Sequence, residues 1–391
     1  MLVGPMAIAG GTLEWLVDGA SSANEISYRG PNTAIARVCN MLAFRKTCST
    51  MKICSDNPKE KYASSVFFAE LAGMKTTELN DKVYSVLGFM CKDWRPNYKP
   101  DYSKPFEVVS QEVMECVTSC DHDAGFLWKF DRLVDDPAAC RDPSSVPSWV
   151  PNLRRKTPNL MEYYACGEEK PLKTSVIEGP QMRIPGWIIS PVDRVVGPLT
   201  ADQKILNDEF GRLINDAKSR APHIEMLLEV HQRFAQCMRR EWSKTTPESR
   251  SARFNGIMSD FFCADDVGSP TAERIWEIWE VVVKALQIRS PKWFEELIQD
   301  FLQGFSFYFA RMEGRCYFET KSGYCGLGPS DTKREDVVAV FELCECPILL
   351  RKIKSKKAKQ QNYTVVGPAY LDHAMDGEYA NPEKREIIRL R

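Results

Sequence analysis

Five prolines, at positions 137, 143, 147, 151 and 158, fall within little more than twenty residues. Proline lacks a backbone donor and fixes its own φ, so such a run interrupts helices and sheet interiors alike. The chain must therefore be organised around an extended crossing segment near residues 135–181, with different material on either side. Trp149, inside Val146-Pro-Ser-Trp-Val-Pro151, is the large apolar residue expected to pin that segment to the body of the protein.

Before the crossing segment, residues 1–134 read as helix and loop. Thr12 to Val17 and Ser64 to Ala72 carry short apolar runs suited to helices. Asn80 or Asp81 can cap a helix whose apolar face is Val83, Val86 and Leu87, with Gly88 taking the left-handed stop. Phe106, Val109, Val113, Cys116 and Val117 recur at helical spacing and predict a further helix starting near Ser103. Its entry, Lys99 to Pro105, keeps both prolines outside the helix interior.

After the crossing segment, Met182-Arg-Ile-Pro-Gly-Trp-Ile-Ile-Ser-Pro-Val-Asp-Arg-Val-Val196 predicts a bent pair of strands, with Gly186 or Pro191 at the bend. Residues 201–310 return to helix. Ser269-Pro270 and Ser290-Pro291 each pair a capping serine with proline at the first helical position. Trp276 and Trp279 lie on a helix that is apolar over more than half its circumference, so a packed core or a ligand pocket is expected there. Strand signals then dominate: Arg315 to Thr320, Asp336 to Phe341, Pro347 to Arg351 and Tyr363 to Val366 are separated by turn residues.

The fold class expected is α+β, a helical amino-terminal part with a small carboxy-terminal β-barrel or rolled sheet. A short strand pair is not stable alone, so 182–197 is expected to pair beyond residue 315. That makes 182–380 one β unit with 201–310 as a helical insertion, and leaves 381–391 as a tail.

Composition narrows the function. A formal net charge of −1 gives no general attraction for nucleic acid or an anionic membrane, and neither is expected as a partner. No apolar run approaches the ~20 residues of a membrane span. The first residues have no basic stretch before their apolar run, so no signal peptide is expected and a reducing, cytoplasmic setting follows. The fourteen cysteines then read as free thiols. Cys344-Glu-Cys346 and the Cys116/Cys120 pair have suggestive spacings, but neither has the second Cys or His pair of a zinc site. No metal or other cofactor is expected.

Gly323-Tyr-Cys-Gly-Leu-Gly-Pro329 resembles a phosphate loop only in its glycines, because Pro329 and the surrounding strands leave no helix N-terminus to hold a phosphate. Asp372, His373, Asp376 and Glu378 form the densest acid–base group; adjacent Asp372 and His373 would face opposite ways on a strand. His122, His223 and His231 sit in polar surroundings or on helix surfaces. The basic run Lys352–Lys359 reads as a solvated hairpin tip, with a nuclear-import signal as the competing reading.

The order of segments resembles fungal heterokaryon-incompatibility proteins. Asp81-Lys-Val-Tyr-Ser-Val-Leu-Gly-Phe89, Pro100-Asp-Tyr-Ser-Lys-Pro105 and Val146-Pro-Ser-Trp-Val-Pro151 look like the stretch that follows that family's signature domain. The 182–195 segment, Gly323 to Pro329, Asp336-Val-Val, Pro347-Ile-Leu-Leu-Arg, Tyr363-Thr-Val-Val-Gly and Met375-Asp-Gly-Glu look like its later segments, in order. The resemblance singles out Asp81, Lys82, Tyr84, Gly88, Asp101, Tyr102, Trp149, Gly326, Gly328, Asp376, Gly377 and Glu378 as motif residues with structural roles. There are departures. The family's Ser-Tyr-x-Trp-Gly and Asp-Ala-x-Cys-Ile-Asn-Gln motifs have no counterpart here, so the Toll/interleukin-receptor-like domain thought to trigger cell death is expected to be missing. A usual glycine before Asp-Val-Val is Glu335, and another before Met-Asp-Gly-Glu is replaced around Asp372–Ala374.

Two functions follow from the resemblance. One is a non-enzymatic regulatory module of self/non-self recognition (allorecognition), partnered by another protein such as a full-length family member. The other is a small-molecule enzyme of fungal secondary metabolism, of cyclase or isomerase type, built on the same fold.

Overall fold

The computed structural model describes chiefly residues 76–85, 99–116, 126–135, 145–156, 175–200, 221–242, 314–342, 344–354, 360–372 and 377–391. Gly88, Trp276, Trp279, His373 and Asp376 lie outside the described residues, as do 355–359 of the lysine run, the Thr12–Val17 helix and both Ser-Pro caps.

α1 is the single turn Asp81–Tyr84. Asn80 does not cap it: its backbone is helical and its amide donates instead to the Lys104 carbonyl at 2.9 Å. A tertiary acceptor has displaced the local one. α2, Phe106–Cys116, buries Phe106, Val109 and Val113 as the spacing predicts, together with Ser110 and Met114. α3 (Phe126–Lys129) leads directly into β1 (Phe130–Arg132), which pairs antiparallel with β2 (Pro151–Lys156). The proline-rich segment is thus less irregular than expected. Pro151 opens a strand, a position where its missing N–H is tolerated.

β3 (Val176–Glu178) and β4 (Gln181–Val196) follow. β4 is one sixteen-residue strand, not two; register shifts between Ile188 and Ser190 and between Val192 and Arg194 bend it. Bulges of this kind re-aim a strand without ending it. Gly186 serves close packing: a Cβ there would meet the Val340 carbonyl at 2.4 Å. α4 is Pro222–Trp242. Its start is capped by Glu209, whose carboxylate accepts from the backbone N–H groups of His223 (3.1 Å) and Ile224 (3.2 Å).

The remaining strands are β5 (Cys316–Thr320), β6 (Cys325–Gly328), β7 (Val337–Phe341), β8 (Ile348–Lys352), β9 (Asn362–Pro368), β10 (Tyr370–Leu371) and β11 (Glu386–Leu390). β4 pairs with β5 and β7, both beyond residue 315. Residues 381–391 are not a tail, because β11 lies against β4 on one side and, in parallel, against β9 on the other. The order β4–β11–β9–β8–β7 returns to β4, so these strands close a ring. Within this sheet Val192, Phe318, Val338, Leu349, Val366 and Leu371 form a common apolar core.

Glu335 has φ of 70°, the left-handed conformation that a residue with a Cβ adopts at a cost. Its side chain also pairs with Lys321 at 2.9 Å, but both groups are exposed and such a pair adds little. Glu335→Gly is expected to raise the urea midpoint with an unchanged denaturant slope. A lower midpoint would show that the ion pair outweighs the backbone strain.

Candidate functional site

Three groups of motif residues converge in the described part of the chain. The first is a charge cluster beside the ring. Arg351, on β8, presents a two-pronged contact to Asp336, with Nε donating to Oδ1 and Nη2 to Oδ2, both at 2.8 Å. Asp336 is almost fully buried, and its Oδ2 also accepts from the Lys333 backbone N–H at 2.7 Å. Arg351 additionally donates to the Asp331 carbonyl at 2.7 Å. Asp331 is shared with Arg132 of β1 at 3.1 Å, and Arg132 also pairs with Asp135 and donates to the Val365 carbonyl. The Asp336 contact, with Asp331 adding to it, raises the Arg351 pKa and keeps that charge fixed.

A second group surrounds two tyrosines. The turn before β6 carries Tyr324, and the segment after β10 carries Asp372, Glu378 and Tyr379. The Asp372 N–H donates to the Cys325 carbonyl at 3.0 Å, fastening one segment to the other. Gly326 permits that approach, since a Cβ there would lie 2.3 Å from the Tyr370 carbonyl and 2.5 Å from the Phe318 ring. Gly328 is packed similarly, against Leu349 and Thr332, and Gly377 has φ of 81°. The phenols of Tyr379 and Tyr324 are hydrogen-bonded and pack at the margin of the apolar core. Burial above all, then Tyr324 and the charges of Glu378 and Asp372, push the Tyr379 phenol far above its ordinary value. Asp372 is buried and Glu378 exposed. The Tyr379 phenol, held protonated beside the buried Asp372 side chain, is suited to hydrogen bonding and poorly suited to abstracting a proton at neutral pH.

The third group braces the amino-terminal side. Tyr102 donates to Asp81 at 2.7 Å, Tyr84 donates to the Asp101 carbonyl at 2.8 Å, and the two rings meet edge to face at 5.1 Å. Asp101 in turn accepts from the Ser103 hydroxyl and N–H, which lowers its pKa. Lys82 is buried and donates to the Ala72 carbonyl at 3.0 Å; desolvation, with the nearby Arg154 charge, lowers its pKa.

Comparison with known proteins shows what the chain resembles. Residues 284–390 match the Het-6 beta-barrel domain family. The carboxy-terminal region is thus similar to the Het-6 beta-barrel domain. The chain is also 24% identical over 354 residues to heterokaryon incompatibility protein 6, OR allele, of Neurospora crassa, an alignment covering 80% of this chain and 51% of that protein. The chain therefore spans about half the length of the curated relative it matches. No solved structure matches.

Within the region similar to the Het-6 domain, both the Asp336–Arg351 pair and the Tyr324–Tyr379 pair join segments that are separate in sequence. Ser148 ties the crossing segment to the 284–390 region, and Trp149 fastens it to the turn before β4. The Ser148 hydroxyl accepts from the Val365 N–H at 2.8 Å and donates to the Arg391 carbonyl. Trp149 is 2% exposed and donates its indole N–H to the Pro180 carbonyl at 3.3 Å. The ring of hydrogen bonds around Ser148 had no sequence signal beyond the motif itself. Glu209 and His223, whose Nδ1 lies 2.7 Å from Glu209, form a further pair; the sequence reading gives His223 polar surroundings or a helix surface and does not single out Glu209.

Among the described residues, no group of three or more His, Cys, Asp or Glu side chains is arranged to hold a metal. The described cysteines are free thiols. Cys316 of β5 is buried, and desolvation, with the Asp331 charge, pushes its pKa from 9.0 to about 11. A thiol held protonated by folding stabilises the native state below its unfolded value and loses that contribution as pH rises through the folded value. Stability is therefore expected to fall between pH 9 and pH 11. Cys316→Ala should flatten that part of a denaturation-midpoint profile against pH; an unchanged slope would place the titrating groups elsewhere.

Proposed function

We propose that this chain acts in heterokaryon incompatibility as a non-enzymatic interaction module whose partner is another protein of the same family. The support is the Het-6 relation together with the use of its motif residues. Asp81, Tyr84, Ser148, Trp149, Asp336 and Arg351 direct their polar groups into bonds that join separate segments of the chain. Residues committed in this way shape a surface and leave it rigid, which lowers the entropic cost of binding. The cyclase or isomerase reading rested on Trp276 and Trp279, which lie outside the described residues.

The test has two arms. Purified chain mixed with the purified Neurospora crassa relative should form a complex measurable by calorimetry. Fungal strains differing only in this gene should form heterokaryons of reduced vigour, and disruption of the gene should restore normal growth. Compatible heterokaryons regardless of allele, with no complex formed, would overturn the proposal.

A further inference from the structure

The turn between β7 and β8 is held from two directions. Glu342 pairs with Arg385, just before β11, at 2.5 Å. Glu345 lies 3.6 Å from the ammonium of Lys129, a cation that is itself buried on α3 and stands 3.6 Å over the Trp128 ring. Between these two anchors the backbone bends at Glu345. Side chains two residues apart already share a face in extended chain, and the bend brings those of Cys344 and Cys346 into contact. The Cys344 thiol is hydrogen-bonded to the Cys346 side chain, and both residues are fully buried.

We propose that Cys344 and Cys346 form a redox pair, which hydrogen peroxide converts into a disulfide spanning Glu345. One sulfur, as thiolate, attacks a peroxide oxygen; the O–O bond breaks, leaving a sulfenic acid and, after protonation, water. The second sulfur then attacks the first, the S–S bond forms, and a second water leaves. Two thiols lose two protons and two electrons, and one peroxide is reduced to two waters.

The product suits the site. A disulfide is uncharged and needs no hydrogen-bond partner, so it can occupy the dry position the thiols hold now. The reactive thiolate is what the site disfavours, since burial raises the Cys344 pKa well above its ordinary value. The pair should therefore stay reduced in the resting protein and react when the turn opens. Opening requires that Glu345 part from Lys129, so the contact between α3 and the turn controls access. Closing the disulfide reshapes the backbone at Glu345 and weakens that same contact.

The experiment uses the full purified chain. After peroxide treatment, remaining thiols are alkylated under denaturing conditions and the protein is cut with trypsin. The peptide Glu335–Arg351 contains Cys344 and Cys346 and no other cysteine. It should lose two hydrogens and both alkylation sites, and dithiothreitol should restore them. Cys344→Ser should abolish the internal disulfide while leaving Cys346 available for alkylation. Lys129→Ala should speed closure by up to about fivefold, the upper end for losing one partly exposed ion pair. The proposal is overturned if both cysteines stay alkylatable, in wild type and in Lys129→Ala alike, after Cys116 has been fully oxidised. It is equally overturned if either cysteine pairs with a third one instead.

Discussion

Asp336→Ala is expected to destabilise the fold by about 3 kcal/mol, toward the lower end of what breaking a buried ion pair costs. The substitution removes the two-pronged contact with Arg351 and the acceptor for the Lys333 N–H. Arg351 keeps its link to Asp331 and remains partly exposed, so some of its charge can be rehydrated, which limits the loss. Asp336→Asn retains an acceptor for the Lys333 N–H and should cost less. Urea titrations that show a lower midpoint at constant slope would establish the effect as one of stability. A cost below about 1 kcal/mol for the alanine variant would mean that the pair behaves as an ordinary surface contact.

Trp149→Ala should have the other large effect, about 3–5 kcal/mol, because it empties a fully buried site that cannot easily collapse. Trp149 is 2% exposed and its indole N–H is bonded, so both packing and a hydrogen bond are lost. Ser148→Ala, one residue earlier, makes the informative comparison. It leaves the Val365 N–H without its acceptor and should cost about 1–3 kcal/mol. If Trp149→Ala alters hydrogen exchange only near residues 145–156 and leaves 362–368 protected, the crossing segment is merely laid on the ring. Loss of protection in both would show that the two form a single cooperative unit.

The parts of this fold that could be read from sequence were those with local causes. β5, β7, β8 and β9 follow runs of apolar and β-branched residues, and α2 follows a helical stripe. The pairing of β4 with β5 and β7 followed from the instability of a short isolated strand pair. β11 was missed although Ile388 and Leu390 are buried in alternation, because the five residues are short and flanked by charge. Asn80 was misread because its acceptor, the Lys104 carbonyl, comes from another segment. The Tyr324–Tyr379 contact is of the same kind: neither phenol has a neighbour in sequence that announces the other. Glu335 stood out only as a departure from an expected glycine, and its left-handed backbone explains why a glycine is favoured there.

The ring has a consequence for biosynthesis. One edge of β4, from Met182 to Gly186, is satisfied only by β11, whose Glu386 lies about 200 residues later than Gly186. At translation rates of roughly 5–20 residues per second, that edge waits on the order of 10–40 s for its partner. Throughout the interval an apolar strand with unpaired backbone groups is available to other nascent chains, so ribosome-associated chaperones should bind this protein mainly after β4 emerges and release it once β11 has been made.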